Sequence, residues 1–451
     1  MQFELTKYFL AEIRSHIEAT NSEFILNEIG KLHPADIADI IQHLSLEEGK
    51  FIFDLLDEEK AADSLVELDE EYQEKFLGNF SIAEIAEQID QLDSDDGADI
   101  LGSLSEDEKD EALSHMQDKE LASEIIDLLK YKEDSAGGLM QSEYIQARSN
   151  WTVKRCVIEL RRQAEDVERV YTIYVVDDND TLLGILSLKR LLFAQPNALI
   201  SDLYISNNIR YVKTNDDNET VAEIMQKYDL VTIPVVDSLH KLVGRITIDD
   251  VLDFIQEEAE KDYQMASGIT DNVEATTSIF KNIKSRLPWI LIGILGGILS
   301  SLILKNYELE ISINPILAFF IPLITATGGN VGVQSSAIVV QGLASNDFQF
   351  SGILKRVSKE LIVGMIIGII CGGLVFIANY YMNNGDILMG ITIGLSIFIV
   401  VIIAAIFGTL VPLVLEKIKI DPALATGPFV TTSNDILGLS IYFLIAYLIY
   451  Q

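Results

Sequence analysis

Residues 421–450 read DPALATGPFVTTSNDILGLSIYFLIAYLIY. The apolar run is long enough to cross a bilayer core, which takes about 20 helical residues. Inside it stand Thr426, Gly427, Pro428, Thr431, Thr432, Ser433, Asn434 and a single carboxylate, Asp435. Asp435 falls about 12 residues into the span, roughly 18 Å along a helix rising 1.5 Å per residue. A lone carboxylate near mid-membrane costs at least ~2.5–3.5 kcal/mol on insertion scales. No Lys or Arg lies within the expected spans to pair with it, whereas a passing cation can.

Working backwards, four further stretches are long and apolar enough to span: Leu287–Leu304, Ile313–Leu343, Leu361–Met382 and Ile387–Leu415, with Ala423–Tyr450 as the fifth. The second carries Thr325, Thr327, Gly328, Gly329, Asn330, Gln334, Ser335 and Ser336 behind Pro322. Gly and Pro in these two spans are expected to break helices and free carbonyls, which hydrocarbon tolerates only around a wet or protein-lined cavity. Small residues also serve ordinary helix packing. The ligands on offer are oxygens alone, which argues for a hard cation. One acid per subunit with carbonyls suits a hydrated Mg2+ better than a many-oxygen Ca2+ cage. In a homodimer, two copies of Asp435 would face one pore across the axis.

Lys281, Lys284 and Arg286 precede the first span, Lys355, Arg356 and Lys359 separate the second and third, and Lys417 and Lys419 separate the fourth and fifth. The positive-inside rule then sets the N-terminal domains in the cytoplasm and the C-terminus outside, in a multi-pass membrane protein expected in the cell inner membrane. Met1–Leu10 is mixed and acidic, so no signal peptide is expected. Of 33 basic and 69 acidic residues, eight of each lie beyond residue 282, leaving 25 against 61 in the first 282. So acidic a half repels nucleic acid and anionic lipid heads, and invites cations. Cys156 and Cys371, the only cysteines, build neither a disulfide framework nor a zinc site.

Over residues 1–133 an apolar residue recurs every twelve positions, from Leu32 and Leu44 to Met116 and Leu128. Helix-start signals follow: Ser45 with Glu48, Ser81 with Glu84 and Ser105 with Glu108 are capping boxes, and Asp57, Asp69 and Asp93 can cap alone. Short helices stacked as hairpins make a superhelical solenoid. Asp95, Asp96 and Asp99 crowd one turn beyond what capping needs, and form a candidate cation site.

Residues 134–257 read as paired β-β-α units. TIYVVDDNDTLLGILSLKRLL (172–192) parallels TIPVVDSLHKLVGRITIDDVL (232–252). They resemble tandem cystathionine-β-synthase (CBS) domains, here 134–198 and 199–257. Such pairs bind adenine nucleotides through Ser/Thr-x-x-Asp, a pattern kept as Thr247-x-x-Asp250 but lost at Ser187-x-x-Arg190. ATP is thus a possible ligand of the second copy. No Walker A loop is present, and the chain is read as not an enzyme. An acidic helix follows, carrying Asp249, Asp250, Asp253, Glu257, Glu258, Glu260 and Asp262. Like charges at helical spacing are destabilising until a counter-ion relieves them.

Three motifs, Asp134-Ser-Ala-Gly-Gly-Leu-Met140, Thr327-Gly-Gly-Asn-Val-Gly-Val-Gln-Ser335 and Asp421 to Asp435, resemble those of the MgtE family of magnesium channels. The resemblance implies a mainly α, multi-domain membrane protein: acidic solenoid (1–133), CBS pair, linking "plug" helix (258–282) and five-helix transmembrane domain (283–451). It implies a homodimer with Asp435 as central ion ligand, and Thr431 and Asn330 along the path. Regulatory Mg2+ would bind Asp95, Asp99, Asp217, Glu219, Asp229, Asp250, Glu258 and Asp262 and close the pore. Lys261 stands where the family commonly has an acid. Competing readings are transport of Co2+, Mn2+ or Zn2+, ion-coupled Mg2+ export, and a membrane-anchored metal or nucleotide sensor without flux. A sensor needs no carboxylate in mid-membrane.

Overall fold

The structure, a computed structural model, describes residues 3–164, 167, 169–270, 273, 278–344, 353–382, 385–425 and 427–450. Thr426 lies outside them. The chain divides into two compact units, residues 1–256 and 257–451.

The first unit opens with ten short helices. From Ser22 onward they begin at residues 22, 34, 46, 58, 70, 82, 94, 106 and 119, so the twelve-residue apolar repeat is the repeat of helix plus turn. All three capping boxes form. Asp57 caps through Lys60 N–H at 3.1 Å. Asp69 and Asp93 make no side-chain cap bond, against expectation. At Asp93 the neighbouring Ser94 is committed elsewhere, through bonds to Glu143. One apolar residue per turn of each helix goes inside: Ile37, Ile41, Ile52, Leu65, Phe76, Ile85, Ile89, Ile100, Leu101 and Ile125 are all buried.

Two three-stranded sheets follow. β1 (Ile145–Arg148) pairs parallel with β2 (Ile173–Val176), which pairs antiparallel with β3 (Leu182–Leu186). β4 (Val212–Lys213), β5 (Thr232–Val236) and β6 (Leu242–Thr247) repeat the arrangement. β1 and β4 escaped the sequence reading because they are short, four and two residues, and lack a long β-branched run. The two hairpins meet at equivalent turns: Leu182 N–H donates to His240 O at 3.1 Å and Leu242 N–H to Asp180 O at 3.0 Å. Asp180 and His240 hold matching left-handed φ values of 64° and 65°.

The Asp134–Met140 motif has a structural reason. Ala136 N–H donates to Asp216 O at 2.7 Å and Gly137 N–H to Thr214 O at 3.0 Å. Gln141 and Arg245 exchange backbone bonds at 2.9 and 3.0 Å, so the segment adds an edge to the second sheet. A β-carbon on Gly138 would come within 2.9 Å of Glu133 backbone atoms, so only glycine fits there. A 19-residue helix, Ile248–Ala266, runs through the division between the units.

In the second unit five helices are long and apolar enough to cross a membrane: Ile279–Asn306, Ile316–Leu343 (bent at Phe320), Ile353–Met382, Ile387–Lys417 and Gly427–Tyr450. The first starts eight residues before the expected span, so Lys281, Lys284 and Arg286 ride on it. The fourth is central. Ile393, Ile397, Val401, Ala404 and Ala405 are buried with Ile324 of the second span and Leu439, Tyr442 and Phe443 of the fifth. The third span lies on the fourth through Gly364, Gly368 and Gly372. A β-carbon on Gly368 would stand 3.0 Å from Phe398 O, and one on Gly372 2.6 Å from Gly394 O. Small residues every fourth position let the backbones close up, the common packing device where lipid supplies no hydrophobic drive.

Candidate ion pathway and acidic cavity

The expectation that Gly and Pro break the second and fifth spans is not met within either polar stretch. Ile321–Ala344 and Gly427–Tyr450 run as continuous helices through Thr327–Ser335 and Thr431–Asp435. The breaks lie instead toward their N-terminal ends, at Asn314–Pro315 and Phe320 before the second and at Ile418–Asp421 before the fifth. Thr431 Oγ1 accordingly donates back to Gly427 O at 3.2 Å and Pro428 O at 3.1 Å instead of replacing them. Gly332 serves close contact between the spans, since a β-carbon there would overlap Asn434 Nδ2, whereas one on Gly329 would lie at ordinary contact distance, 3.7 Å from Thr431 and 3.8 Å from Asp435 Oδ1.

Asp435 is half-buried and turned toward Gly329. Among the described residues it has no hydrogen bond and no ion pair. Asn330, one residue along the second span, is exposed. Thr431 and Asp435 are one helical turn apart and share a face. The sequence reading passed over the site role of Asn434. This side chain is 2% exposed, with neither Oδ1 nor Nδ2 hydrogen-bonded among the described residues. A polar residue beside the membrane acid was the available signal.

The N-terminus of the fifth span is held by a tight backbone contact. Gly427 has φ 52°, and a β-carbon there would collide with Ala266 O at the end of the linking helix. A β-carbon on Gly268, φ 81°, would come 2.7 Å from Pro428 Cγ. The turn behind that helix is pinned by Gln264, whose Oε1 accepts from Val273 N–H at 2.8 Å, and by Thr270, whose Oγ1 donates to Ser285 O at 2.9 Å.

In the first unit, Asp93, Asp95, Asp96, Asp249 and Asp250 line a cavity of about 100 Å3 with Gln141, Arg169, Tyr171, Arg245 and Thr247. The helix Ser94–Ser103 brings two of these acids and its N-cap Asp93 a third, and Ile248–Ala266 brings the other two. Asp95 is almost wholly buried: Oδ2 accepts from Gln141 Nε2 at 3.1 Å, and Oδ1 has no hydrogen-bond partner among the described residues. Gln141 is turned by Arg245, whose Nε donates to its Oε1 at 2.7 Å. Burial raises the Asp95 carboxyl to about 6. Burial, then the charges of Asp95 and Asp250, raise Asp96 to about 9. Burial and the charge of Asp95 raise Asp250 to about 6. Glu143 is pushed to about 7, mainly by burial and by Asp93. Gln141 and Glu143 follow directly on the Asp134–Met140 motif, at which the sequence reading stopped.

The other expected regulatory acids are dispersed. Asp217 caps the helix Asn218–Tyr228 through Thr220 N–H at 2.8 Å. Asp229 ends that helix at φ 51°, about 18 Å away for 12 residues. Glu219 and Asp99 are exposed. Glu258 and Asp262 are one turn apart, and Lys261 Nζ donates to Glu258 Oε2 at 3.0 Å. Among the described residues, no three His, Cys, Asp or Glu side chains converge to hold a metal ion. Thr247 and Asp250 are joined to each other: Oγ1 donates to Oδ2 at 2.6 Å and N–H to the same oxygen at 3.1 Å. In the first CBS copy, Arg190 donates to Leu203 O at 3.1 Å and Ser187 caps through Arg190 N–H, so no acid takes the corresponding place.

A family model described as a divalent cation transporter matches residues 321–445, its intracellular N domain matches 32–134, and CBS domains match 136–197 and 200–257. The chain is 35% identical to the magnesium transporter MgtE of Enterococcus faecalis over 72% of each chain. It is likewise 35% identical to the magnesium transporter MgtE of Thermus thermophilus, over 74% of each. This chain belongs to the MgtE family. Among solved structures it is similar to the cytosolic domain of the Mg2+ channel MgtE in complex with ATP. That match has 33% identity and a TM-score of 0.51, and covers 54% of this chain and 99% of that one. MgtE proteins are transporters, which accounts for the five spans.

Proposed function

We propose that the chain is a homodimeric Mg2+ channel of the cell inner membrane, closed by Mg2+ on the cytoplasmic side. The observation that carries the reading is Asp435, a carboxylate well inside an apolar helix and without a protein partner among the described residues. A cation is the counter-charge that makes it tolerable. The oxygen ligands that Asp435, Thr431 and Asn330 can offer favour a hard, hydrated divalent ion. The membrane potential suffices as drive: two charges moving inward across 100 mV release about 4.6 kcal/mol, twice the ~2.3 per charge. Loop charges support cytoplasmic N-terminal domains and an extracytoplasmic C-terminus.

The acidic cavity supports control by cations. Five aspartates around about 100 Å3 repel one another, and a cation relieves that where a nucleotide triphosphate would worsen it. The same walls disfavour ATP at Thr247 and Asp250, one oxygen of which is already bonded by the threonine. Mg2+ shifts the equilibrium by binding the closed arrangement better than the open one. The tight seat of Gly427 on Ala266 gives the linking helix a lever on the span that bears Asp435.

The test is flux into liposomes containing the purified full chain, with Mg2+ set separately on each side. Inward Mg2+ current that needs Asp435 and falls as cytoplasmic Mg2+ rises is the expected result. Dependence on a proton or sodium gradient would point to coupled export, and preference for Co2+ or Mn2+ to a different cargo. Binding without current would leave a sensor.

A further inference from the structure

Asn434 is out of place in energetic terms. It sits in the fifth span with 2% of its surface exposed, and among the described residues both polar atoms of its carboxamide are unpaired. A buried amide without partners is unfavourable in water-soluble cores and has even fewer remedies in hydrocarbon. Leucine would fill similar space at no such cost, so the polarity calls for a state in which it is satisfied.

The surroundings define how it is held. The amide is inserted into a notch left by Gly332 of the second span; a β-carbon on Gly332 would overlap Nδ2 and come 2.8 Å from Val430. Gly332 is itself pressed against Gly408 of the fourth span, so the notch has a rigid floor. One residue on, Asp435 faces Gly329, three positions before Gly332. The two contacts together fix the rotation of the fifth span about its axis. Seven residues before Asn434, or about 10 Å at 1.5 Å each, the same helix begins at Gly427 against Ala266. Packing favours this rotational setting and the dry amide opposes it.

We propose that Asn434 is a positioning residue whose seat in the Gly332 notch sets the direction of Asp435, and whose unpaired amide leaves the notch for water when the fifth span turns to conduct. The inference rests on the transport reading. It predicts opposite effects from two changes at one contact. Asn434→Leu keeps the bulk and removes the polar conflict, so the notched setting becomes dominant. Mg2+ flux through the full chain in liposomes then falls roughly five- to a hundredfold, the range that an unmet amide represents as a population shift, while the thermal midpoint rises. Gly332→Ala expels the amide, lowering the midpoint and weakening closure by cytoplasmic Mg2+. Asn434→Ala added to Gly332→Ala makes room and restores closure.

Flux and midpoint both unchanged in Asn434→Leu would overturn the proposal, as would a parallel loss of both. If that variant does not assemble, Asn434→Cys with Cys156 and Cys371 replaced supplies a second readout. A small water-soluble thiol reagent should react faster in chelator than in high Mg2+, and equal rates would refute the turn. Loss of flux in Asp435→Asn with unaltered Asn434→Leu leaves the transport reading standing and this inference fallen. Full flux in Asp435→Asn removes the transport reading itself.

Discussion

Gly329 and Asp435 face each other across the second and fifth spans, with carboxylate Oδ1 3.8 Å from the point a β-carbon on Gly329 would occupy. The acid is therefore aimed at a stretch of helix with no side chain to meet it. Asp435→Asn, which keeps the shape and removes the charge, is expected to lower Mg2+ flux at least about a hundredfold, more than ~2.7 kcal/mol of lost ion stabilisation. Helical content and thermal midpoint should stay near wild type. Liposome flux and circular dichroism on the same sample decide it, and a conducting asparagine variant ends the pore assignment.

The acidic cavity should make the first unit sensitive to pH in a definite direction. Asp95, Asp96, Asp250 and Glu143 all have carboxyl values raised above those of an unfolded chain. Folding thus favours their protonated forms. Their contribution is complete below about pH 4 and is lost as pH rises toward the folded values, the last near 9 at Asp96. In chelator, hydrogen-exchange protection of the helix Ser94–Ser103 should decline across that window. Millimolar Mg2+ should restore it at the alkaline end. Protection that rises with pH would contradict the assignment.

Gly427→Ala combines a left-handed φ with a collision against a backbone carbonyl, neither of which a rotamer change can relieve. The expected cost is at least about 1–2 kcal/mol. It should appear as weaker closure by cytoplasmic Mg2+, with the maximal flux largely kept. A drop in maximal flux with closure intact would show the contact to be merely structural.

Lys261 meets Glu258 at 3.0 Å on an exposed helix face, an ion pair worth little for stability but one that occupies an acid. Lys261→Glu frees Glu258 and adds a charge. Half-closure should then require less Mg2+, read as a leftward shift of the flux-inhibition curve; a rightward shift would mean that the lysine itself holds the closed form.

Much of this was legible in the residues. Twelve-residue spacing gave the helix starts because most repeats carry their own cap and each its own apolar face, both local features. Five spans and the odd carboxylate were readable for the same reason. The acidic cavity was only half visible: Asp95 and Asp250 are 155 positions apart, and Gln141, Glu143 and Arg245 enter through a strand edge that no periodicity announces. Glycine in the second and fifth spans was misread as helix breaking, since composition alone does not distinguish a kink from a notch. Asn434 belongs to such a notch.

The third and fourth spans close up at Gly364, Gly368 and Gly372, where a β-carbon on Gly368 or Gly372 would meet a backbone oxygen of the fourth span. They form a girder. Any rotation of the fifth span has to take place against that fixed bearing, so a bulky residue in the glycine ladder would spread the girder and rob the turn of its leverage, leaving the acid in place and the gate without a hinge post.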